Sequence, residues 1–113
     1  MDEAAAVMSL AALAQAMRLR VFRALIGAGP QGMTPGALSV MLDVPASTLS
    51  FHLKELTHAG LVTQERHGRH LIYRPALARM NALMDYLTAH CCQGSDSDGT
   101  ACELNLPPAR KGC

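Results

Sequence analysis

The chain has 113 residues and a formal net charge of +1 at pH 7, and half of its residues are hydrophobic although only 4% are aromatic. This length is that of one small domain and leaves little room for the second lobe of a larger enzyme. No apolar run approaches the ~20 residues that span a bilayer, and the N-terminus lacks the basic start and apolar core of a signal peptide. We therefore expect a cytoplasmic protein with no membrane contact.

Three helices are predicted before residue 45 from apolar positions spaced three and four apart. The expected buried stripes of the first two are Val7, Leu10, Ala14 and Met17, then Leu19, Phe22, Leu25 and Ile26. Residues 27–32 interrupt the pattern. Thr34 and Pro35 supply a capping hydroxyl and a residue preset to helical φ, which predicts the start of the third helix. Its expected buried residues are Leu38, Met41 and Leu42.

A fourth helix is predicted directly after Pro45. A rotation of about 100° per residue separates its apolar face from a small, polar and lightly basic face. The polar face suits the major groove of DNA, where the unusual outward Phe51 could touch a thymine methyl. The core face comprises Leu49, His52, Leu53 and Leu56, and the outward face comprises Ser47, Thr48, Ser50, Phe51, Lys54 and His58.

Residues 61–74 predict a β-hairpin, because two β-favouring runs flank His67 and Gly68, and glycine accepts the positive φ of a tight turn. Arg66, His67 and Arg69 then lie at the tip, like a wing beside a DNA-reading helix. Residues 46–74 carry four basic and two acidic side chains, a local charge of +2. We therefore expect salt-sensitive DNA binding, with the histidines of this segment adding positive charge at lower pH.

A last helix is predicted after the hairpin, ending near His90. Its apolar stripe could pair with the first helix across a dimer, which would suit a chain with a modest core and a palindromic DNA site. The expected organisation is a domain at 1–92 and a flexible tail at 93–113. All seven methionines are interpreted as core filling. The stripe of the last helix consists of Leu77, Met80, Leu83, Met84 and Leu87.

The runs MRLRVFRAL, SFHLKELTHAGLV and ERHGR, followed by Tyr73 and Arg74, resemble the ArsR/SmtB family of metal- and metalloid-responsive repressors. The resemblance implies a mainly α fold with a small β-hairpin (α+β), a winged helix-turn-helix that dimerises through its first and last helices and binds double-stranded operator DNA. The family commonly opens its reading helix with Ser-Gln. Here Pro45 and Ala46 remove that capping hydroxyl and a base-contacting amide.

Four cysteines occupy the last fifth of the chain, and thiolates select soft ions. Nine residues, two of them glycine, separate Cys92 from Cys102, so bringing Cys102 back to the pair at Cys91 and Cys92 costs little entropy. Three sulfurs at Cys91, Cys92 and Cys102 suit As(III) or Sb(III), and two suffice for methylated As(III). The resemblance to arsenic-responsive members with a C-terminal thiol triad implies the same site, whereas Cys113 lies too far out.

Two other ligand arrangements of that family are missing from the sequence. The third helix has Thr34 and Gly36 where a Cys-x-Cys pair would align, and the last helix offers only Asp85 and His90 toward a zinc site. The sequence thus predicts a non-enzymatic homodimeric repressor that releases operator DNA when the three thiols bind As(III), with no organic cofactor.

Two alternatives stay open. A redox or electrophile sensor would join Cys91 or Cys92 to Cys102 in a reversible disulfide. A small thiol oxidoreductase, such as an arsenate reductase, would use Cys91 or Cys92 as nucleophile. The chain has no Cys-x-x-Cys, phosphate-cradling glycine loop or βαβ alternation to support this second alternative.

Several basic side chains have two interpretations each. His52 either contacts DNA or is a hydrogen-bonded imidazole beside the core, and its place at the edge of the buried face favours the core. The position of Arg66 and Arg69 beside a reading helix favours phosphate or minor-groove contact over a solvated turn. A solvated helix face is the default for the basic residues of the second helix, which are Arg18, Arg20 and Arg23.

Overall fold

The computed structural model describes residues 1–89, which form five helices and one antiparallel hairpin. The elements are α1 (Glu3–Leu13), α2 (Ala16–Ala28), α3 (Pro35–Leu42), α4 (Ala46–His58), β1 (Val62–His67), β2 (His70–Pro75) and α5 (Leu77–Thr88). This order confirms the predicted mainly α fold with a small hairpin. Within this part of the chain no single helix has the length and apolar character to cross a membrane, and α1 and α2, which pass that test only together, are bent by 97°. The predicted tail and all four cysteines lie outside the described residues.

The core lies where α2, α3 and α4 meet the base of the hairpin. The predicted core face of α4 is confirmed, since all four of its members are buried. Each buried leucine removes a side chain from water, which favours folding by about 1.5–3 kcal/mol. The largest side chains of the core are Val21, Phe22, Leu25, Leu38, Val44, Leu49, Leu53, Leu56, Leu61 and Val62.

The predicted buried stripe of α1 is wrong. Val7 and Leu10 are 57% and 41% exposed, Ala14 is the exposed residue that ends the helix, and Met17 belongs to α2. Because almost every residue of α1 is apolar, its sequence does not indicate which face of the helix is buried. The structure buries the small side chains instead, which are Ala6, Ser9 and Ala12.

The predicted stripes of α2, α3 and α5 are confirmed in part. The buried members are Phe22, Leu25, Leu38 and Leu83, whereas Leu19, Ile26, Met41, Leu77, Met84 and Leu87 are exposed. A fold this small has too little interior to cover every apolar side of its helices. The interpretation of all methionines as core filling therefore holds for Met17, Met33 and Met80, which pack against the core, but not for Met1, Met8, Met41 and Met84.

A short bridge that the sequence did not predict attaches the hairpin to the segment before α3. Met33 and Tyr73 exchange two backbone hydrogen bonds, with N···O distances of 3.0 and 2.8 Å. Gly32 precedes this bridge with φ of 72°, and a Cβ atom there would lie 2.6 Å from the carbonyl oxygen of Tyr73. Only glycine fits this close backbone approach without a shift.

Candidate nucleic-acid interface

Local interactions define both ends of α3 and the tight turn that joins it to α4. At the start of α3, Thr34 Oγ1 accepts a hydrogen bond from Ala37 N at 3.1 Å, so the predicted cap of this helix is confirmed. At the other end Asp43 adopts the left-handed conformation, with φ of 55° and ψ of 54°, which Asp tolerates better than most residues. Ser39 Oγ donates to the carbonyl oxygen of Val44 at 2.6 Å. The pair α3–turn–α4 is therefore a helix-turn-helix.

The helix α4 presents a polar face on the side opposite the core. It begins after Pro45 without a side-chain cap, as expected from the missing serine. Phe51, the unusual aromatic member of this face, is 53% exposed. That these side chains contact DNA stays a prediction, but all six are free to do so in the described chain. The exposed residues are Ser47, Thr48, Ser50, Phe51, Lys54 and His58.

His52, for which the sequence allows either a DNA contact or a place beside the core, does not share this exposed face. The side chain is only 7% exposed, and its Nδ1 accepts a hydrogen bond from Arg18 Nε at 3.4 Å. Burial and then the neighbouring Arg18 guanidinium lower the pKa of His52, which Glu55 partly offsets. His52 is thus a neutral imidazole beside the core. Arg18, interpreted from the sequence as solvated, is half-buried.

The hairpin forms the predicted wing, defined here as β1, β2 and their turn. His67 belongs to β1 and pairs with His70, so the two-residue turn consists of Gly68 and Arg69, one residue later than the predicted His67 and Gly68. Gly68 has φ of 64°, the positive value predicted for the turn glycine. All three residues predicted at the tip are exposed, namely Arg66, His67 and Arg69.

An ionic network braces one face of the wing. Glu65 Oε2 lies 3.1 Å from His67 Nε2, and Glu65 Oε1 accepts a hydrogen bond from Arg74 Nη1. The hydrogen bond from Arg74 lowers the pKa of Glu65, with a further contribution from His67. Arg74 Nε also donates to the carbonyl oxygen of Pro30 at 2.8 Å, which ties the wing to the loop before α3. The net positive charge of the wing therefore rests on the two arginines of its tip.

A cleft of about 280 Å³ separates α4 from the wing. Its walls carry hydroxyl, amide and ammonium groups, which are suited to phosphate and sugar oxygens of DNA. Sequence reasoning missed Thr57, Gln64 and Tyr73 in this cleft, although strand alternation places the cross-strand pair of Gln64 and Tyr73 on one face of the hairpin. The lining residues are Ser50, Lys54, Thr57, His58, Gln64 and Tyr73.

The predicted metalloid site lies outside this interface and outside the described residues. Cys91 and Cys92 follow α5 closely in sequence, since the helix ends at Thr88, and Cys102 comes ten residues after Cys92. Among residues 1–89 no three His, Cys, Asp or Glu side chains are grouped so that they could hold a metal ion. The cysteine site therefore stays a prediction.

A helix-turn-helix followed by a basic hairpin beside its second helix defines the winged-helix class of DNA-binding proteins. Residues 8–65, slightly more than half of the chain, match the family described as "Helix-turn-helix domain". The chain belongs to this family, and its solved neighbours identify it as a winged-helix transcriptional regulator of the ArsR type. Regulation of transcription through DNA is thus its general function.

Three solved structures show the likeness. An ArsR-like transcriptional regulator from Rhodococcus sp. RHA1 shares the fold, with a TM-score of 0.73 and 23% identity over 89% of this chain and 92% of its own. A possible transcriptional regulator for arsenical resistance is 32% identical over 71% of this chain and 83% of its own, with a TM-score of 0.58. The homodimeric winged helix-turn-helix DNA-binding domain of Mb0332 from Mycobacterium bovis, a possible ArsR-family regulator, is 26% identical over 76% of this chain and 80% of its own, with a TM-score of 0.61.

One curated relative matches in sequence. The uncharacterized HTH-type transcriptional regulator YdfF of Bacillus subtilis (strain 168) is 44% identical over 41 residues, which are 36% of this chain. The match spans only 18% of the length of YdfF. This chain is therefore similar to a small part of that regulator only.

Proposed function

We propose that this protein is a cytoplasmic repressor that binds operator DNA as a homodimer and releases it when As(III) occupies Cys91, Cys92 and Cys102. The observation that carries the proposal is the sequence position of two adjacent cysteines, three and four residues after the last described helix of a winged-helix regulator. The 32% identity to a possible transcriptional regulator for arsenical resistance supports a role in the response to arsenic. The domain would then extend through residue 92, with residues 93–113 contributing the third thiol.

DNA binding would use the exposed face of α4 and the tip of the wing. Arg66 and Arg69 are exposed and lie outside the ionic network of Glu65, which leaves both guanidinium groups for phosphate oxygens. Phosphate contacts of this kind position a protein on the duplex, and the short polar side chains of α4 would read base edges in the major groove. Lys54 and the cleft beside it would follow the sugar-phosphate backbone between the two elements.

Dimerisation would use α1 and α5, which contact each other within one chain. Both helices expose large apolar side chains, and exposed apolar surface of this kind marks interaction sites. The homodimeric state of the Mycobacterium bovis domain supports this arrangement. The side chains concerned are Val7, Met8, Leu10, Leu77, Met84 and Leu87.

Binding of As(III) by three thiols would be an exchange of ligands that releases water. Arsenous acid, As(OH)₃, would exchange its hydroxides for three sulfur ligands, and each hydroxide would leave as water with one thiol proton. Since the acid is neutral, the site need not hold free thiolates near the negative end of a helix. Sb(III) has the same preference for sulfur, and methylated As(III) would need only two of the thiols.

Release of DNA requires that As(III) bind the DNA-incompetent dimer more tightly than the DNA-competent one. A coupling free energy of roughly 1–3 kcal/mol is typical of such linkage. The helix α5 is the proposed transmitter, because it contacts α1 and ends at Thr88, three residues before Cys91 in the sequence. A change in the angle of α5 would alter the spacing of the two α4 helices, which must match the half-sites of the operator.

The test is arsenite titration of the reduced protein bound to fluorescent promoter DNA from its own locus, followed by anisotropy. We expect release from the wild type and from the matched control Cys113→Ser, but not from the double variant Cys91→Ser/Cys92→Ser. Retained release in the double variant would contradict the site. Release by peroxide alone would indicate a redox sensor instead, and turnover of arsenate with added thiol would indicate an oxidoreductase.

A further inference from the structure

The side chain of Arg18 connects three helices and ends beside Phe51 on the polar face of α4. Arg18 lies in the first turn of α2, and its Nη1 donates to the carbonyl oxygen of Ala12 in α1 at 3.4 Å. Its Nε donates to His52 Nδ1 in α4 at the same distance. The guanidinium is therefore held at two points, by α1 and by the buried side of the reading helix.

The same guanidinium also lies over the ring of Phe51. Its Cζ atom is 5.9 Å from the ring centroid, within the range of a cation–π interaction. The ring of His52 meets that of Phe51 edge-on, with centroids 5.5 Å apart and an angle of 62° between the planes. Phe51 is thus an exposed aromatic side chain of the polar face that is contacted from below by Arg18 and His52.

We propose that Arg18 is a positioning residue for DNA recognition, holding Phe51 in the orientation in which it reads the operator and linking α1 to the reading helix. This inference rests on the proposed function, in which the exposed face of α4 reads DNA. Phe51 is 53% exposed, and its contacts with Arg18 and His52 limit the rotation of its side chain. A displacement of α1 would reach Phe51 through the hydrogen bond at Ala12.

The chemistry of Arg18 is specific to a guanidinium. The group is planar and always charged, so it donates from two nitrogens while its face covers an aromatic ring. A lysine at this position would keep the charge but not this geometry. Arg18→Lys therefore separates positioning from simple attraction to phosphate, since a phosphate contact would tolerate the lysine and positioning would not.

The experiment measures specificity rather than affinity alone. A duplex selected from a random-sequence pool by the wild type serves as the specific probe, and a scrambled duplex of equal length and composition serves as the nonspecific one. We expect Arg18→Ala and Arg18→Lys to lower the ratio of specific to nonspecific affinity roughly tenfold. Equal losses on both duplexes, or rescue by Arg18→Lys, would overturn the inference. A wild type that selects no sequence would overturn the proposed function as well.

A double-mutant cycle with Phe51 completes the test. Phe51→Leu removes the aromatic ring from an exposed position, so this variant remains folded even where Arg18→Ala does not. We expect Phe51→Leu to lower the specificity ratio about as much as Arg18→Lys does, and the double variant to lose little more than either one. Additive losses in the double variant, or an unchanged ratio in Phe51→Leu, would refute the assignment of Arg18 to Phe51.

Discussion

Alanine substitutions at three glycines of this chain can distinguish two costs to stability: that of a left-handed backbone conformation and that of a steric clash. Gly36 lies in the first turn of α3 with open space around it, Gly68 has a positive φ of 64° with open space, and Gly32 has both a positive φ and a crowded site. A Cβ atom on Gly32 would lie 2.6 Å from Tyr73 O and 2.8 Å from Arg74 Cγ. Substituting alanine at each of these positions therefore gives a graded series.

The expected changes in the free energy of unfolding differ in sign as well as size. Gly36→Ala stabilises by about 0.5–1 kcal/mol, because alanine loses less backbone entropy in a helix. Gly68→Ala costs about 1–2 kcal/mol, the price of a left-handed conformation with a Cβ atom. Gly32→Ala adds a clash against backbone worth about 1–3 kcal/mol, for a total of about 2–5 kcal/mol.

Urea unfolding followed by far-UV circular dichroism measures the series, since the chain has no tryptophan for fluorescence. Protein concentration is held constant, because association would otherwise add to stability. A Gly32→Ala variant within about 0.5 kcal/mol of Gly68→Ala would refute the clash. It would also mean that the bridge between Met33 and Tyr73 yields easily, and that the wing is not firmly attached to the core.

Three further predictions concern a cap, a buried imidazole and the wing. Thr34→Ala should cost about 1 kcal/mol in urea unfolding, because α3 loses its capping oxygen, whereas Thr34→Ser should cost little. Because the pKa of His52 is lower in the folded protein, this imidazole binds a proton more readily in the unfolded chain. The free energy of unfolding should therefore fall as pH drops below about 6.5, the ordinary pKa of histidine. His52→Gln should reduce that fall. An undiminished fall in His52→Gln would place its origin elsewhere. Arg66→Gln and Arg69→Gln should each make the fall of log affinity for DNA with log salt less steep, by about one unit of slope. An unchanged slope would exclude phosphate contact by that arginine.

Local chemistry made the helix-turn-helix and the wing predictable. The cap at Thr34 followed by Pro35, and the glycine at the tip of the hairpin, each act within a few residues of chain. The core face of α4 was equally clear, because polar and apolar residues alternate along this helix at helical spacing. These features are the ones that position the candidate interface.

Contacts between distant segments were not predictable in this way. The apolar sequence of α1 left its buried face undefined, and the bridge from Met33 to Tyr73 joins residues forty positions apart with only Gly32 as a local sign. The role of Arg18 was missed for the same reason. A basic residue on a helix is solvated by default, and its partner His52 lies 34 residues further along the chain.

The small buried face of α1 makes this helix sensitive to what covers its other side. Alanine and serine side chains remove little apolar surface from water, so in the isolated chain α1 gains little free energy from its packing. Its backbone amides should therefore exchange hydrogen with solvent faster than those of α4, whose leucines are buried. A partner on the outer side of α1 would slow that exchange. The amide protons of α1 thus provide a residue-level measure of assembly that needs neither DNA nor ligand.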